Sequence, residues 1–280
     1  DFYSKFSKIP RKIENTMSEI VVQKFGGTSV GTVDRIDSVA EIIKNASKSN
    51  KIVVVVSAMG GETNRLVDLA KAFGDDPDKR EFDALVSTGE TVSSALLTMA
   101  LHSKGVKAKS FSASQISMRT TSSYSKAKIL DVDAKKILDV VENDTIPIIT
   151  GFQGVTEGGD VTTLGRGGSD TTAVAIAAQI AAIRCDIYTD VDGIFTTDPG
   201  VVPNAKKLDS ITMEEMLELA GQGAKVVQTR AVEFANKYKV PVRVLSSFND
   251  GNGTLISLKD ESMENALVSG IAFQKDQVKF

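Results

Sequence analysis

Nine residues, Thr162-Thr163-Leu164-Gly165-Arg166-Gly167-Gly168-Ser169-Asp170, combine three glycines with an arginine and an aspartate. Glycine has no Cβ, so its backbone N–H groups can close on an anion. The apolar residues 171–182 that follow predict a helix, whose N-terminus adds partial positive charge. Arg166 can grip a carboxylate or phosphate through two parallel hydrogen bonds. A second glycine loop, Phe25-Gly26-Gly27-Thr28-Ser29-Val30-Gly31, has Lys24 at its lip. Lysine there is a mobile point charge suited to phosphate oxygens. Two such loops are the chemistry of a site that handles anions.

Elements must hold these loops in place. Residues 20–24 predict a short buried strand, and Val33, Ile36, Val39, Ile43 and Ala46 then recur at helical spacing. Residues 52–56 are five consecutive β-branched residues, which fits a strand buried on both faces. A Ser57–Gly61 loop and a helix over 62–73 follow. Residues 81–104 predict one or two helices interrupted near Ser87-Thr88-Gly89, with Gly105 as a natural stop. Strands are expected at 106–111, 145–150, 186–190, 240–246 and 254–258, and helices at 132–142, 212–220 and 224–239. Asn249-Asp250-Gly251-Asn252-Gly253 is a turn joining the last two strands as a hairpin. This alternation implies an α/β fold, a three-layer αβα sandwich with a mainly parallel central sheet. Loops at the carboxyl ends of such strands form the binding crevice.

Composition narrows the function classes. The 280 residues allow one large or two modest domains, and 41% hydrophobic content supplies a sizeable core. Net charge is −3, so no global basic field favours nucleic acid or an anionic membrane. Cys185 is alone, which excludes an intramolecular disulfide and a cysteine metal cluster, and it reads as a buried inert thiol. The single histidine, His102, lies inside a predicted helix and reads as structural or surface-borne. No uninterrupted apolar run approaches the ~18 residues of a membrane span. No secretory leader is evident, so the cytoplasm is the expected location.

The two loops belong to an ordered set. Lys24-Phe25-Gly26-Gly27-Thr28-Ser29-Val30 resembles the opening motif of aspartokinases, and Thr162–Asp170 resembles their substrate loop. Ser87-Thr88-Gly89-Glu90, Tyr188-Thr189-Asp190-Val191-Asp192-Gly193-Ile194 and Gly223-Ala224-Lys225-Val226 resemble further blocks of that family, in its order. The similarity runs from about Ile20 to Leu258. It implies the amino-acid-kinase fold, ATP with Mg2+ as phosphoryl donor, L-aspartate as acceptor, and a homo-oligomer under feedback control through an ACT regulatory region. On this basis residues 1–16 are an extension, 17–262 the catalytic domain, and 263–280 the start of a linker and a truncated ACT region.

The resemblance also distributes roles. Lys24 and Asp170 are the catalytic candidates, although Asp170 equally suits a helix N-cap. Lys24, Phe25, Gly26, Gly27, Thr189, Asp190 and Lys225 are the ATP-side candidates. Arg166 pairs with the α-carboxylate of the amino acid, aided by Ser169 and the Gly167 and Gly168 amides. Glu90 meets the α-ammonium, and Ser57 and Thr63 complete the substrate side. No residue is assigned as a direct metal ligand, because magnesium arrives on ATP. Two departures from the family pattern occur: Gln228-Thr229 stands where His-Pro is common, and Gly200 where a basic residue is common.

Other readings compete. A kinase of the same superfamily acting on glutamate, N-acetylglutamate, carbamate or UMP shares much of this pattern, but Glu90 with Arg166 favours a free amino acid. A Rossmann fingerprint fails because Asp170 replaces its final glycine. A P-loop fails because Thr32-Val33 replaces Lys-Ser/Thr. A protein-kinase catalytic loop has no His-Arg-Asp here. An inactive catalytic fragment that needs its ACT region is the non-enzymatic alternative.

Overall fold

The computed structural model describes residues 19–221 and 226–258. The expected extension 1–16, the expected linker and ACT region 263–280, and Lys225 lie outside the described residues.

In chain order the elements are β1 (Ile20–Phe25), α1 (Val33–Ala46), β2 (Lys51–Val56), α2 (Glu62–Lys71), α3 (Lys79–Val86), α4 (Thr88–Ser103) and β3 (Ala108–Phe111). Then come β4 (Arg119–Thr120), β5 (Ile129–Asp131), α5 (Ala134–Glu142), β6 (Ile146–Thr150), β7 (Gln153–Val155) and β8 (Val161–Thr163). The rest are α6 (Gly168–Gln179), β9 (Arg184–Thr189), β10 (Ser210–Thr212), α7 (Met213–Gly221), α8 (Thr229–Tyr238), β11 (Val242–Ser246) and β12 (Thr254–Ser257).

Eight strands form the main sheet in the order β10-β12-β11-β9-β1-β2-β6-β3. The run from β11 to β3 is parallel, and β12 returns antiparallel to β11 through the expected hairpin. Strand alternation divides β2 between two cores. Ile52, Val54 and Val56 pack with Ile36, Val39 and Ile43 of α1 and Leu97 and Leu101 of α4. Val53 and Val55 pack on the other face with α5, α6, α7 and α8. The sheet therefore lies between two helical layers, as the strand–helix alternation implied.

Helix α6 is buried on all sides, from Gly168 through Ala178. It lies between the sheet and α8, and its alanines allow that close approach. A helix apolar all round belongs in such a position.

Several expectations shift. The helix expected at 171–182 begins three residues earlier, at Gly168, and its N-cap is Gly167 in the left-handed region (φ +67°). Asp170 therefore lies inside the first turn and is not the N-cap. The helix expected at 224–239 begins at Thr229 among the described residues. A second sheet, in the order β5-β4-β7-β8, escaped the sequence pattern because its strands have only two or three residues each. Periodicity has no purchase on segments that short.

The stretch Lys79–Ser103 contains an 18-residue window that is long and apolar enough to cross a membrane, although no uninterrupted apolar run is. Here it is broken into α3 and α4 at Ser87, and half of its apolar window is buried inside the protein. His102 Nε2 donates to the Ala108 carbonyl at 2.8 Å, a structural contact joining α4 to β3. Cys185 is fully buried, and burial pushes its thiol pKa well up.

Candidate active site

The carboxyl ends of the central strands align. Register pairs Phe25 with Val56 and with Tyr188, and Val56 with Thr150. The pairing continues past the strand ends: Gly26 N–H donates to Tyr188 O (3.1 Å), Ser57 N–H to Phe25 O (3.1 Å), and Gly151 N–H to Val56 O (2.8 Å). Three loops thus leave the sheet side by side, with β1 in the middle. That is where a parallel sheet opens its crevice.

Lys24 points to the α6 side of β1. Its Nζ lies 2.6 Å from Asp170 Oδ1, with the two side chains 11% and 10% exposed. Charge holds this pair rather than an aligned hydrogen bond. A buried ion pair of this kind fixes where the lysine points.

Beside the pair opens a cavity of ≈ 340 Å³. From the glycine loops and the β2 side, Lys24, Gly27, Ser57, Thr63 and Glu90 line it. From the opposite layer come Arg166, Gly167, Gly168, Ser169 and Asp170. Ten residues singled out in the sequence therefore share one space. Its walls come from both helical layers, since Glu90 belongs to α4 and Asp170 to α6.

Glu90 is 3% exposed. Its Oε1 accepts from the Ala58 N–H at 3.1 Å, whereas Oε2 is buried without a partner. Burial pushes the carboxyl pKa up from 4.5 to about 7, and the Ala58 hydrogen bond opposes this only in part. A buried acceptor left open at a cavity wall is a position for an arriving donor, and a cation suits it best. The α4 terminus that carries Glu90 is pinned. Ser93 Oγ donates to Ser57 O (2.7 Å), and Gln153 Nε2 donates to Ser87 O (2.6 Å).

Arg166 is exposed at the rim, with no ion pair among the described residues. The turn beneath it is tight: Gly168 N–H donates to Gly165 O at 3.0 Å. The Gly168 amide is therefore already engaged and does not face the cavity as a free donor, contrary to the expectation from the sequence. Similarly, Gly26 N–H is engaged by Tyr188 O. The Phe25 side chain stacks on Tyr188 (4.6 Å between centroids) on the α1 face, away from Lys24. Thr189 ends β9 and Asp190 follows it, on the other side of β1 from the cavity, and neither lines it.

Sequence reasoning gave several residues no part in the site, Gln228 among them, which it noted only as a departure from the family pattern. Gly151 approaches both α6 and β2 so closely that a Cβ there would meet Ser169 Oγ at 2.6 Å and Val56 O at 2.9 Å. Gln228 reaches over Gly167, where a Cβ would meet its Cγ at 2.2 Å, and lines the cavity. Arg230 Nη1 donates to Leu164 O at 2.7 Å, and the fully buried Asp83 accepts four hydrogen bonds from the segments flanking the arginine loop. A polar residue inside an apolar helix pattern, as in Phe82-Asp83-Ala84-Leu85, was the one available signal for Asp83.

Residues 19–246 match the model of the amino acid kinase family. An aspartate kinase of Stutzerimonas stutzeri is 57% identical over 262 residues, spanning 93% of this chain and 64% of that protein. The crystal structure of an aspartate kinase from Synechocystis superposes with a TM-score of 0.78 at 45% identity, covering 88% of this chain and 40% of that one. Escherichia coli aspartokinase III, in complex with aspartate and ADP, superposes with a TM-score of 0.80 at 33% identity, covering 87% and 66%. The chain thus spans about 64% of the length of the curated relatives it matches. Its parallel sheet, the loops at its strand ends and the match over residues 19–246 place the chain in the amino acid kinase family.

Proposed function

We propose that the chain transfers the γ-phosphoryl group of ATP to the β-carboxylate of L-aspartate, giving 4-phospho-L-aspartate, the first step toward lysine, threonine and methionine. The observation that carries this reading is the buried, half-satisfied Glu90 facing the Arg166 loop across one cavity beside Lys24. A carboxylate and a guanidinium on opposite walls match the α-ammonium and α-carboxylate of a free amino acid. The sequence similarity to aspartate kinases supports the same acceptor.

The chemistry asks little covalent work of the protein. An aspartate side chain, with a pKa of about 3.9, is already a nucleophile at neutral pH. The obstacle is repulsion between that carboxylate and the polyphosphate, so catalysis rests on positioning and on cations. The strand order supports a layout for the two substrates. β9, which ends at Thr189 and leads to Asp190, lies on one side of β1, and β2, which leads to Ser57, lies on the other. Nucleotide on the β9 side and amino acid on the β2 side then meet over Lys24. Lys24 offsets charge on the moving phosphoryl group, and Asp170 orients its ammonium. ATP enters as its magnesium complex, which is substrate.

A hydroxylamine trap for acyl phosphate, with Mg–ATP and L-aspartate, tests the reading, and L-glutamate is the control acceptor. Aspartate-dependent hydroxamate is the expected result. Hydroxamate with glutamate alone, or none with aspartate despite nucleotide binding, overturns it.

A further inference from the structure

We propose that Asp83 is a positioning residue that sets the Arg166 loop against Glu90. The acceptor it serves is that of the aspartate-kinase reading above. Asp83 lies on α3 and is 0% exposed. Its Oδ2 accepts from the backbone N–H of Thr163 (2.7 Å) and of Ser125 (2.8 Å). Its Oδ1 accepts from Thr163 Oγ1 (2.9 Å) and Ser125 Oγ (3.1 Å). Among the described residues no lysine or arginine pairs with it. Burying a carboxylate without a cation is costly, and four donors converging on it are the compensation.

What those four bonds join gives Asp83 its role. Thr163 ends β8, three residues before Arg166. Ser125 belongs to the loop whose carbonyl abuts Gly165, within 3.0 Å of where a Cβ there would lie. α3 itself runs through Ser87 into α4, which carries Glu90. One carboxylate thus ties together the segments that fix the distance between the proposed α-carboxylate and α-ammonium ligands. Among the described residues its four hydrogen bonds go to Thr163 and Ser125, and none goes to β1 or Lys24. Its loss therefore loosens the grip on the acceptor and leaves nucleotide binding alone.

The test is a kinetic split with a conservative rescue. Misplacing a binding group by an ångström is costly, so Asp83→Ala is expected to raise KM for L-aspartate about tenfold or more while KM for ATP stays within about twofold. Asp83→Asn is expected to restore KM to within about threefold, because its amide oxygen accepts both backbone N–H groups while the two hydroxyls turn to accept from its NH2. If Asp83→Ala does not fold, the pair Thr163→Val and Ser125→Ala removes only the hydroxyl donors and is expected to shift the same parameter by about threefold. Hydrogen exchange at the amides of residues 163–168 is the substrate-free arm, and it should quicken in Asp83→Ala and recover in Asp83→Asn. Equal changes in both KM values, a fall in kcat alone, or an Asn variant as damaged as the Ala variant overturns the proposal. Should the unmodified chain form no hydroxamate with aspartate, the acceptor reading fails separately. Unchanged exchange at 163–168 then overturns the role of Asp83.

Discussion

At the residue scale two side chains make opposite demands on the protein. Lys24 has a buried counter-ion at 2.6 Å and lines the cavity of the proposed reaction. Lys24→Ala is expected to lower kcat about 10²–10³-fold, the usual effect of losing one preorganised charge donor. Hydroxamate formation under saturating substrates measures it. Glu90 instead is a buried carboxyl with its pKa near 7 because burial penalises its charge. In the proposed reaction the acceptor's α-ammonium meets the ionised form, so affinity for aspartate is expected to be full above about pH 7 and to be lost as pH falls below it. Plots of KM for aspartate against pH should rise below that point, and Glu90→Gln should flatten them while raising KM throughout. Stability runs the other way. The folded-state pKa lies above the ordinary value of 4.5, so the empty fold is most favoured below 4.5 and loses stability as pH rises through about 7. At about 1.36 kcal/mol per pH unit of displacement the penalty is on the order of 3 kcal/mol. Glu90→Gln keeps an acceptor for the Ala58 N–H, so thermal melts should show it more stable than the unmodified chain at pH 8 and no more stable at pH 4.

At the element scale the site depends on how closely α6 meets the ends of β2 and β6. Gly151 is the contact point, with no room for a Cβ between Ser169 and Val56 O. Gly151→Ala is expected to cost about 1–3 kcal/mol through overpacking. It should also push Ser169 from the cavity, giving a lower urea midpoint together with a higher KM for aspartate. The sequence foretold α1 and β2 closely because one has strong apolar periodicity and the other a run of β-branched residues, whereas over 81–104 it left one or two helices open. It placed the start of α6 too late because Gly168, Ser169 and Asp170 read as loop. Left-handed Gly167 turns the chain early enough to bring all three into the helix. The same early start puts Asp170 against Lys24, a contact that no local propensity encodes.

At the scale of the whole molecule the parallel half and the hairpin half of the sheet are joined at β9 and β11. Asp186 on β9 is 1% exposed and faces Arg243 directly across the ladder, with Oδ2 at 2.7 Å from Nη2, and Arg184 also bonds it. Removing one partner of a buried pair leaves the other charge stranded. Arg243→Leu is expected to destabilise by about 3 kcal/mol, with Arg184 limiting the loss. Asp186→Leu combined with Arg243→Leu should recover most of it, since no carboxylate is then left buried. Chemical denaturation of the two variants compares them directly. Apolar periodicity and the glycine loops were enough to read the layered fold and an anion-handling site from sequence, and the ordered motif blocks that resemble aspartokinases pointed to the family and to ten residues that line one cavity, because these features act over a few residues of chain. The contact of Glu90 with the Ala58 amide, the Lys24–Asp170 pair, the second sheet and the Asp83 staple were decided only in three dimensions. Each joins segments far apart in the chain, and burial rather than local pattern gives those polar groups their partners and their energetics.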